Sequence, residues 1–352
     1  MKTLASLFVV AAALLTLSAF AGAQSPSTVL VVANAKNSNS VALANYYMSA
    51  RQIPTQNLLL LDMPAKYTPD DVDTISVADF RNLIANPILA KAESLPHIDY
   101  IVLCRNLPIQ IAETNGSVDS AIAGRSLRRI DNPYCGTFVP FDSTTYGLCL
   151  VTRLDGWSWD DAFQLVDNSI NASVGSPVFL DAYDLLDCIS GCAQVNLTMA
   201  QANSTLLEEQ VPVMLTQVQD FSAPAMPLGG YYSWGSNDPT FSEVLWTSLQ
   251  FAPGAIAETI VATSAEFLRF PGGTESQIAQ LIQQGVTGAK GYVADPNLSA
   301  AANSNSLFSS YTSGLNLAES YYNASSYLGW RDVVVGDPLC SPYAGAFFPH
   351  GE

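Results

Sequence analysis

Histidine is nearly absent from this 352-residue sequence: His97 and His350 are the only two. Imidazole is the commonest general base and metal ligand, so most triad and zinc chemistry lacks its central group here. Basic residues are also scarce, at 14 Lys and Arg against 31 Asp and Glu, giving a formal charge of -17. A surface of that sign repels nucleic acid and anionic lipid, which excludes a nucleic-acid-binding reading. It suits divalent cations or basic partners, although solubility alone is the commoner reason for acidity. No glycine-rich phosphate loop occurs, because the glycines from Gly285 to Gly291 lead into a strand instead of a helix. Disorder is excluded as well: 49% of the residues are hydrophobic and 13% charged, enough apolar surface to offset ordering entropy.

One long apolar run is present, Leu7 to Phe20, behind the positive Lys2 and ahead of Ala21-Gly22-Ala23. This is the pattern of a secretion signal, and the run is shorter than the roughly 20 residues of a comfortable membrane span. The expectation is a signal peptide over residues 1–23 and one α/β domain over 24–352, elaborated at about 106–160. Cleavage would leave a chain beginning at Gln24, secreted or periplasmic, with no membrane span. The six cysteines all follow the signal, and an even count in an exported chain favours disulfides. Cys188 and Cys192 flank Ile-Ser-Gly and are the candidate local bridge. Six Asn-x-Ser/Thr sequons, from Asn115 to Asn323, indicate little beyond surface polarity.

Strand-like runs alternate with helix-like ones. Thr28 to Ala33 is β-branched and continuous, as in a strand buried on both faces. Ser40 is placed to cap the next helix, which carries Leu43, Tyr47 and Ala50 at helical spacing and stops before Pro54. Leu58 to Leu61, Tyr100 to Cys104, Val178 to Leu180, Tyr231-Tyr232, Gly291 to Val293 and Val333 to Val335 read as further strands. A second helix is expected within Val77 to Leu89. Ser158 with Asp161, and Thr274 with Gln277, form capping boxes. The fold class this implies is α/β, a mostly parallel sheet flanked by helices and doubly wound.

The strand candidates end in polar residues: Asn34, Arg105-Asn106, the Ser233 to Asp238 segment, Asp295-Pro296 and Gly336-Asp337-Pro338. In an open parallel sheet, ligands sit outside the carboxyl ends of the strands. Asn34, Arg105, Asp119, Trp234, Asp238 and Asp295 are therefore the ligand-site candidates. Taken singly, such residues more often start turns, cap helices or close an ion pair. Trp234 reads either as a stacking face for a sugar or peptide side chain or as a plug over the sheet.

Several segments carry a resemblance: Val31 to Pro54, Asp99 to Ile109, Ser117 to Ala121, Val151 to Gly156, Gly230 to Asp238, Gly285 to Pro296 and Val333 to Pro342. Together they resemble a family of exported bacterial proteins, without established activity, found in genomes with exosortase-type surface-sorting systems. That resemblance implies a compartment and a neighbourhood, not a reaction. Asp295 stands where the family pattern implies Glu before Pro. A more distant likeness is to caspase and gingipain-like peptidase folds, in which one strand ends in His-Gly and the next in the nucleophilic cysteine. Ser233-Trp234-Gly235 resembles the first place and Val293 to Asp295 the second, so the likeness implies a scaffold without the dyad.

His97 precedes a strand, on the edge away from the polar ends, and His350 is three residues from the end. Neither position suggests an imidazole held beside a nucleophile. Carboxylate chemistry remains, through Asp119, Asp155, Asp238, Asp295 and Asp337, with Ca or Mg as the ions such oxygen ligands would take. Two function classes follow. One is an envelope-associated protein binding a glycan or peptide at the strand-end rim; the other is a hydrolase using paired carboxylates or a divalent metal. One measurement checks compartment and pairing together. Intact mass after alkylation without reduction is expected to give a chain starting at Gln24 with Cys188 and Cys192 unlabelled. Retention of residues 1–23, or label on both cysteines, would overturn the corresponding expectation.

Overall fold

The computed structural model describes residues 24–183, 191–217, 220–269, 271–273 and 275–345. The expected signal, Cys188, Thr274 and His350 lie outside the described residues. Ten strands make the main sheet. They are β1 (Val29–Asn34), β2 (Leu58–Leu61), β3 (Tyr100–Cys104), β4 (Leu150–Leu154), β5 (Val178–Asp181), β6 (Val213–Thr216), β7 (Pro227–Ser233), β8 (Gln250–Thr259), β9 (Gly288–Tyr292) and β10 (Asp332–Gly336). Their order across the sheet is β6-β5-β7-β8-β9-β10-β4-β3-β1-β2. The larger helices are α1 (Ser38–Arg51), α2 (Asn86–Ser94), α3 (Val118–Ala123), α4 (Trp159–Ile170), α5 (Cys192–Glu208), α6 (Ile278–Gln283), α7 (Ser304–Thr312) and α8 (Leu317–Ala324).

Every residue of β1, β3, β4, β5 and β9 is buried, as expected of strands covered on both faces. Helix α4 packs against both α1 and α6, and α5, α7 and α8 form a second group that rests on β4 and β10. Helix α1 is capped by Asn37, whose side chain accepts from the Asn39 and Ser40 amides, so the cap lies three residues before the expected Ser40. The Ser40 hydroxyl instead donates to the Arg105 carbonyl at 2.8 Å and accepts from the Asn34 amide at 3.1 Å. The Ser158–Asp161 capping box forms as expected. The box before α6 is Gln277 with Gln280. The second helix begins at Val77 but passes through a π-turn, Phe80–Ala85, before α2.

The two blocks β6-β5-β7-β8-β9 and β4-β3-β1-β2 are each internally parallel. β10 lies between them, antiparallel to β9 over five residues. It meets β4 at one bridge of parallel type, Val335 opposite Arg153. A single bridge does not fix a strand's direction; the groups at its two ends do. Asp332, at its start, lies opposite Tyr292 and near the Ser120 hydroxyl. Asp337, just past its end, accepts from Tyr47, Arg51 and Ser169, on the carboxyl-terminal halves of α1 and α4. Those helices run back from the carboxyl ends of β1 and β4, so β10 runs against both blocks.

The blocks therefore share one direction. Arg269, beyond β8, reaches Asp155 beyond β4, and the Gln110 amide beyond β3 donates to the Val293 carbonyl beyond β9. At the other edge, Asn168 near the end of α4 donates to the Gly285 carbonyl just before β9. The expected mostly parallel sheet is present, with one reversed strand. That reversal corrects one placement: Gly336-Asp337-Pro338 lies on the amino edge of the neighbouring strands, not on the rim. Two glycines make the packing possible. A Cβ on Gly288 would meet Leu317 Cδ1 at 2.2 Å, and Gly235, at φ 52°, would put one 2.1 Å from Thr259 Oγ1.

Candidate functional site

Asn34 ends β1, and Arg105, Trp234, Asp238 and Asp295 follow strands that end on the same edge. The middle of that edge is closed by its own charges. Asp155, after β4, accepts from Arg105 at 2.9 Å, Arg153 at 3.0 Å and Arg269 at 3.1 Å. Arg153 also holds Asp119 through two bonds of 2.6 and 2.9 Å, and Arg269 pairs with Asp73 at 3.0 Å. Three guanidiniums thus face three carboxylates. Burial pushes the Asp155 carboxyl up, but Arg269, Arg105 and Arg153 outweigh it and hold it below the usual range. The terminal nitrogens of Arg105 also donate to the Gly156 and Trp157 carbonyls, its Nε is buried without an acceptor, and its guanidinium lies 5.3 Å from the Trp159 ring centre. Asn34 is fully buried and donates to Asn106 at 2.7 Å. Asn34, Arg105 and Asp119 are therefore committed to protein partners.

The open part of the rim lies over β7, β8 and β9. A cavity of about 410 Å³ is lined by Trp234 and Asn237 after β7, Ile260 and Val261 after β8, and Tyr292 and Asp295 around the end of β9. Its lining is mostly apolar. Trp234 is 4% exposed and its indole N–H donates to Asn196 Oδ1 at 2.8 Å, so the ring is a fixed wall. Asp295 is exposed at the mouth. Among the candidates, Trp234 and Asp295 line this cavity and the other four do not.

Behind the wall, β8 and β9 carry a buried pair, Glu258 and Lys290, 3.9 Å apart. Lys290 donates to the Ala300 carbonyl at 2.7 Å, Glu258 accepts from the Ala302 amide at 3.1 Å, and Tyr292 bridges Glu258 and Ala300. Burial drives the Glu258 carboxyl up, and Lys290 with Tyr292 recovers only part of that shift. These bonds hold the segment that follows Asp295 over the cavity.

Strand β8 corrects the placement of the peptidase-like positions. The strand that follows β7 in sequence is Gln250–Thr259, so the place resembling a cysteine nucleophile falls at Ile260-Val261, not at Val293 to Asp295. Trp234 lines the same cavity as that place. Neither position carries a thiol or an imidazole.

Cys104, Cys135, Cys149 and Cys340 are free thiols, so a complete set of bridges is not formed. Burial pushes the Cys149 and Cys340 thiols up to about 11, which keeps them protonated at neutral pH. Cys192, on the cavity wall, is disulfide-bonded; no bridge joins two described cysteines, and Cys188 lies outside them. His97 sits before β3 on the amino edge, 3.0 Å from Asp99.

Beside the cavity, Asp181 at the end of β5 and Asp238 after β7 form a second acidic locus that sequence reading did not pair. Burial, helped by the Asp238 charge, pushes the Asp181 carboxyl up to about 6 against the pull of Thr216. Asp238 itself accepts from the Thr240 amide and hydroxyl at 2.7 Å. Among the described residues, no group of three or more His, Cys, Asp or Glu is placed to hold a metal, and no helix is long and apolar enough to cross a membrane.

No family model matches the chain, and neither does any curated protein. Two solved structures share the fold. One, described only as a protease, has a TM-score of 0.52 and 14% identity, covering 90% of this chain and 78% of its own. The other is the complex of pro- and mature domains of RgpB from Porphyromonas gingivalis, with a TM-score of 0.50 and 10% identity, covering 89% and 79%. The likeness establishes a protease- and gingipain-like fold and nothing about activity.

Two stability outcomes follow from these charges. Arg153→Ala strands Asp119 in the interior, takes one of three guanidiniums from Asp155, and is expected to cost about 3–5 kcal/mol in urea unfolding; a loss under 1 kcal/mol would contradict the network. For Asp181 the folded value lies above that of the unfolded chain. Its contribution is therefore whole below about pH 4 and lost as pH rises through about 6. Asp181→Asn should match the parent near pH 4 and exceed it by about 2–3 kcal/mol at pH 7. A gap that is constant across this window would refute the assignment.

Proposed function

We propose that this chain is an exported, secreted or periplasmic peptide-binding protein that uses a peptidase-like scaffold without thiol–imidazole chemistry. The observation that carries this reading is the cavity at the ends of β7, β8 and β9, walled by Trp234, Ile260 and Val261 where the peptidase likeness would put its catalytic pair. An apolar cavity of about 410 Å³ suits one or two apolar side chains. The exposed Asp295 carboxylate at its mouth, on a chain of charge -17, favours a basic neighbour in the ligand. Trp234 has its N–H committed and its ring almost wholly covered, which favours a peptide side chain over a sugar stacked on an open platform. The segments resembling exosortase-linked proteins supply the neighbourhood: a ligand exposed in the cell envelope.

A second reading, carboxylate-based hydrolysis, draws on Asp181 and Asp238, since a carboxyl near 6 is poised for proton transfer. Those carboxylates do not line the cavity, so binding is the better-supported reading. An arrayed peptide library decides between them. Val261→Trp, which fills the cavity, and Trp234→Ala should each weaken captured peptides at least about tenfold. Asp238→Asn should leave capture unchanged. Capture indifferent to both cavity variants sinks the binding reading, and peptide cleavage lost in Asp181→Asn establishes the second.

A further inference from the structure

Among the described residues, no cation pairs with one buried carboxylate on the edge opposite the cavity. Glu319, in the first turn of α8, is fully buried. Its Oε1 accepts from the Tyr100 hydroxyl at 3.0 Å and the Phe141 amide at 2.8 Å. Its Oε2 accepts from the Asn316 amide at 2.9 Å and from the side-chain amide of Gln24 at 2.6 Å. Four donors describe an ionised carboxylate, yet no Lys, Arg or His among the described residues pairs with it. Burial still pushes its carboxyl up despite those bonds, as expected where counter-charge is missing. Arg51 lines the same cavity as Gln24, but it is bound to Asp337 at 2.5 Å and to Ser169.

Gln24 is also the residue at which the leader is expected to be cut. We propose that the α-ammonium released on Gln24 by cleavage after Ala23 is the counter-ion of Glu319, so that removal of the leader completes a buried ion pair and stabilises the mature fold. Hydrolysis of the Ala23–Gln24 amide by a signal peptidase consumes one water and leaves a carboxylate on Ala23 and an ammonium on Gln24. The side-chain amide already touches Glu319, and the backbone nitrogen of the same residue is five covalent bonds from that amide nitrogen. Gln24 and Arg51 border a cavity of about 520 Å³, which gives the ammonium room to remain hydrated on one side. The inference rests on the export reading and is independent of peptide binding.

The titratable groups that face Glu319 are Tyr100 and Tyr134, with Asp99 acting on Tyr100 and His97 paired to Asp99. They are common to all forms compared and cancel in differences. The test uses mature protein beginning at an uncyclised Gln24, the same protein with its α-amine acetylated, and a form retaining Ala21-Gly22-Ala23. Melting temperatures are read from pH 5 to pH 10. An ammonium that gains a partner stabilises below its unfolded value of about 8 and loses the effect as pH rises through its folded value. Both blocked forms should melt roughly 2–4 °C below the mature protein at pH 6, with the gap closing toward pH 10. Glu319→Gln should abolish the gap. If that variant does not fold, the pH profile of the acetylated form decides alone. A gap that is absent at pH 6, persists in Glu319→Gln or does not close at high pH overturns the proposal.

Discussion

Asp155 organises the carboxyl edge of the sheet. Three guanidiniums converge on it from β3, from β4 and from the segment beyond β8, and two of them carry Asp119 and Asp73 in turn. Desolvating six charges is expensive, and such a network is tolerated only where signs balance and the donors find acceptors. Here the signs balance, and Leu107, Pro108, Gly156 and Trp157 supply carbonyls to most of the donors, with Arg105 Nε left without an acceptor. The result is geometric more than energetic. Loops far apart in sequence are drawn onto one point, the centre of the rim is sealed, and open space is displaced to the ends of β7, β8 and β9.

The cavity there depends on how closely backbones approach. Gly235 lets the turn after β7 press onto Thr259, which sets the Trp234 ring against Ile260 and Val261. Gly288 and Gly336, opposite each other, let Leu317 sit down on the reversed strand. The Glu258–Lys290 pair then ties the segment around Ala300 across the top through backbone atoms, a contact that does not depend on that segment's side chains.

The strands that could be read from the sequence were the uninterrupted apolar ones, β1, β2 and β3, together with parts of β5, β7, β9 and β10. β4 escaped because Arg153 breaks its apolar run, although that arginine is fully buried by pairing with residues remote in sequence. β8 escaped because Pro253-Gly254 reads as a turn and Glu258 as a surface residue. Its absence moved the second peptidase-like position one strand too far. The direction of β10 was not legible, since Val333 to Val335 reads the same either way, and this misplaced Asp337. Strand-end logic placed Trp234 and Asp295 on the rim, where they line the cavity. The sealing of Arg105, Asn34 and Asp119 was not legible, because only the fold brings their partners together. The exported character and the family resemblance remain readings of the sequence.

The reversal of β10 also determines which way the molecule faces. Gln24 enters the fold beside Glu319, and Leu339, three residues past β10, borders the same cavity as Gln24. The described chain thus enters the fold and leaves its last strand on the edge away from Trp234. A linker attached at Gln24 starts from the back, and a sensor chip that held the protein there would have the cavity presented outward, as a display platform does.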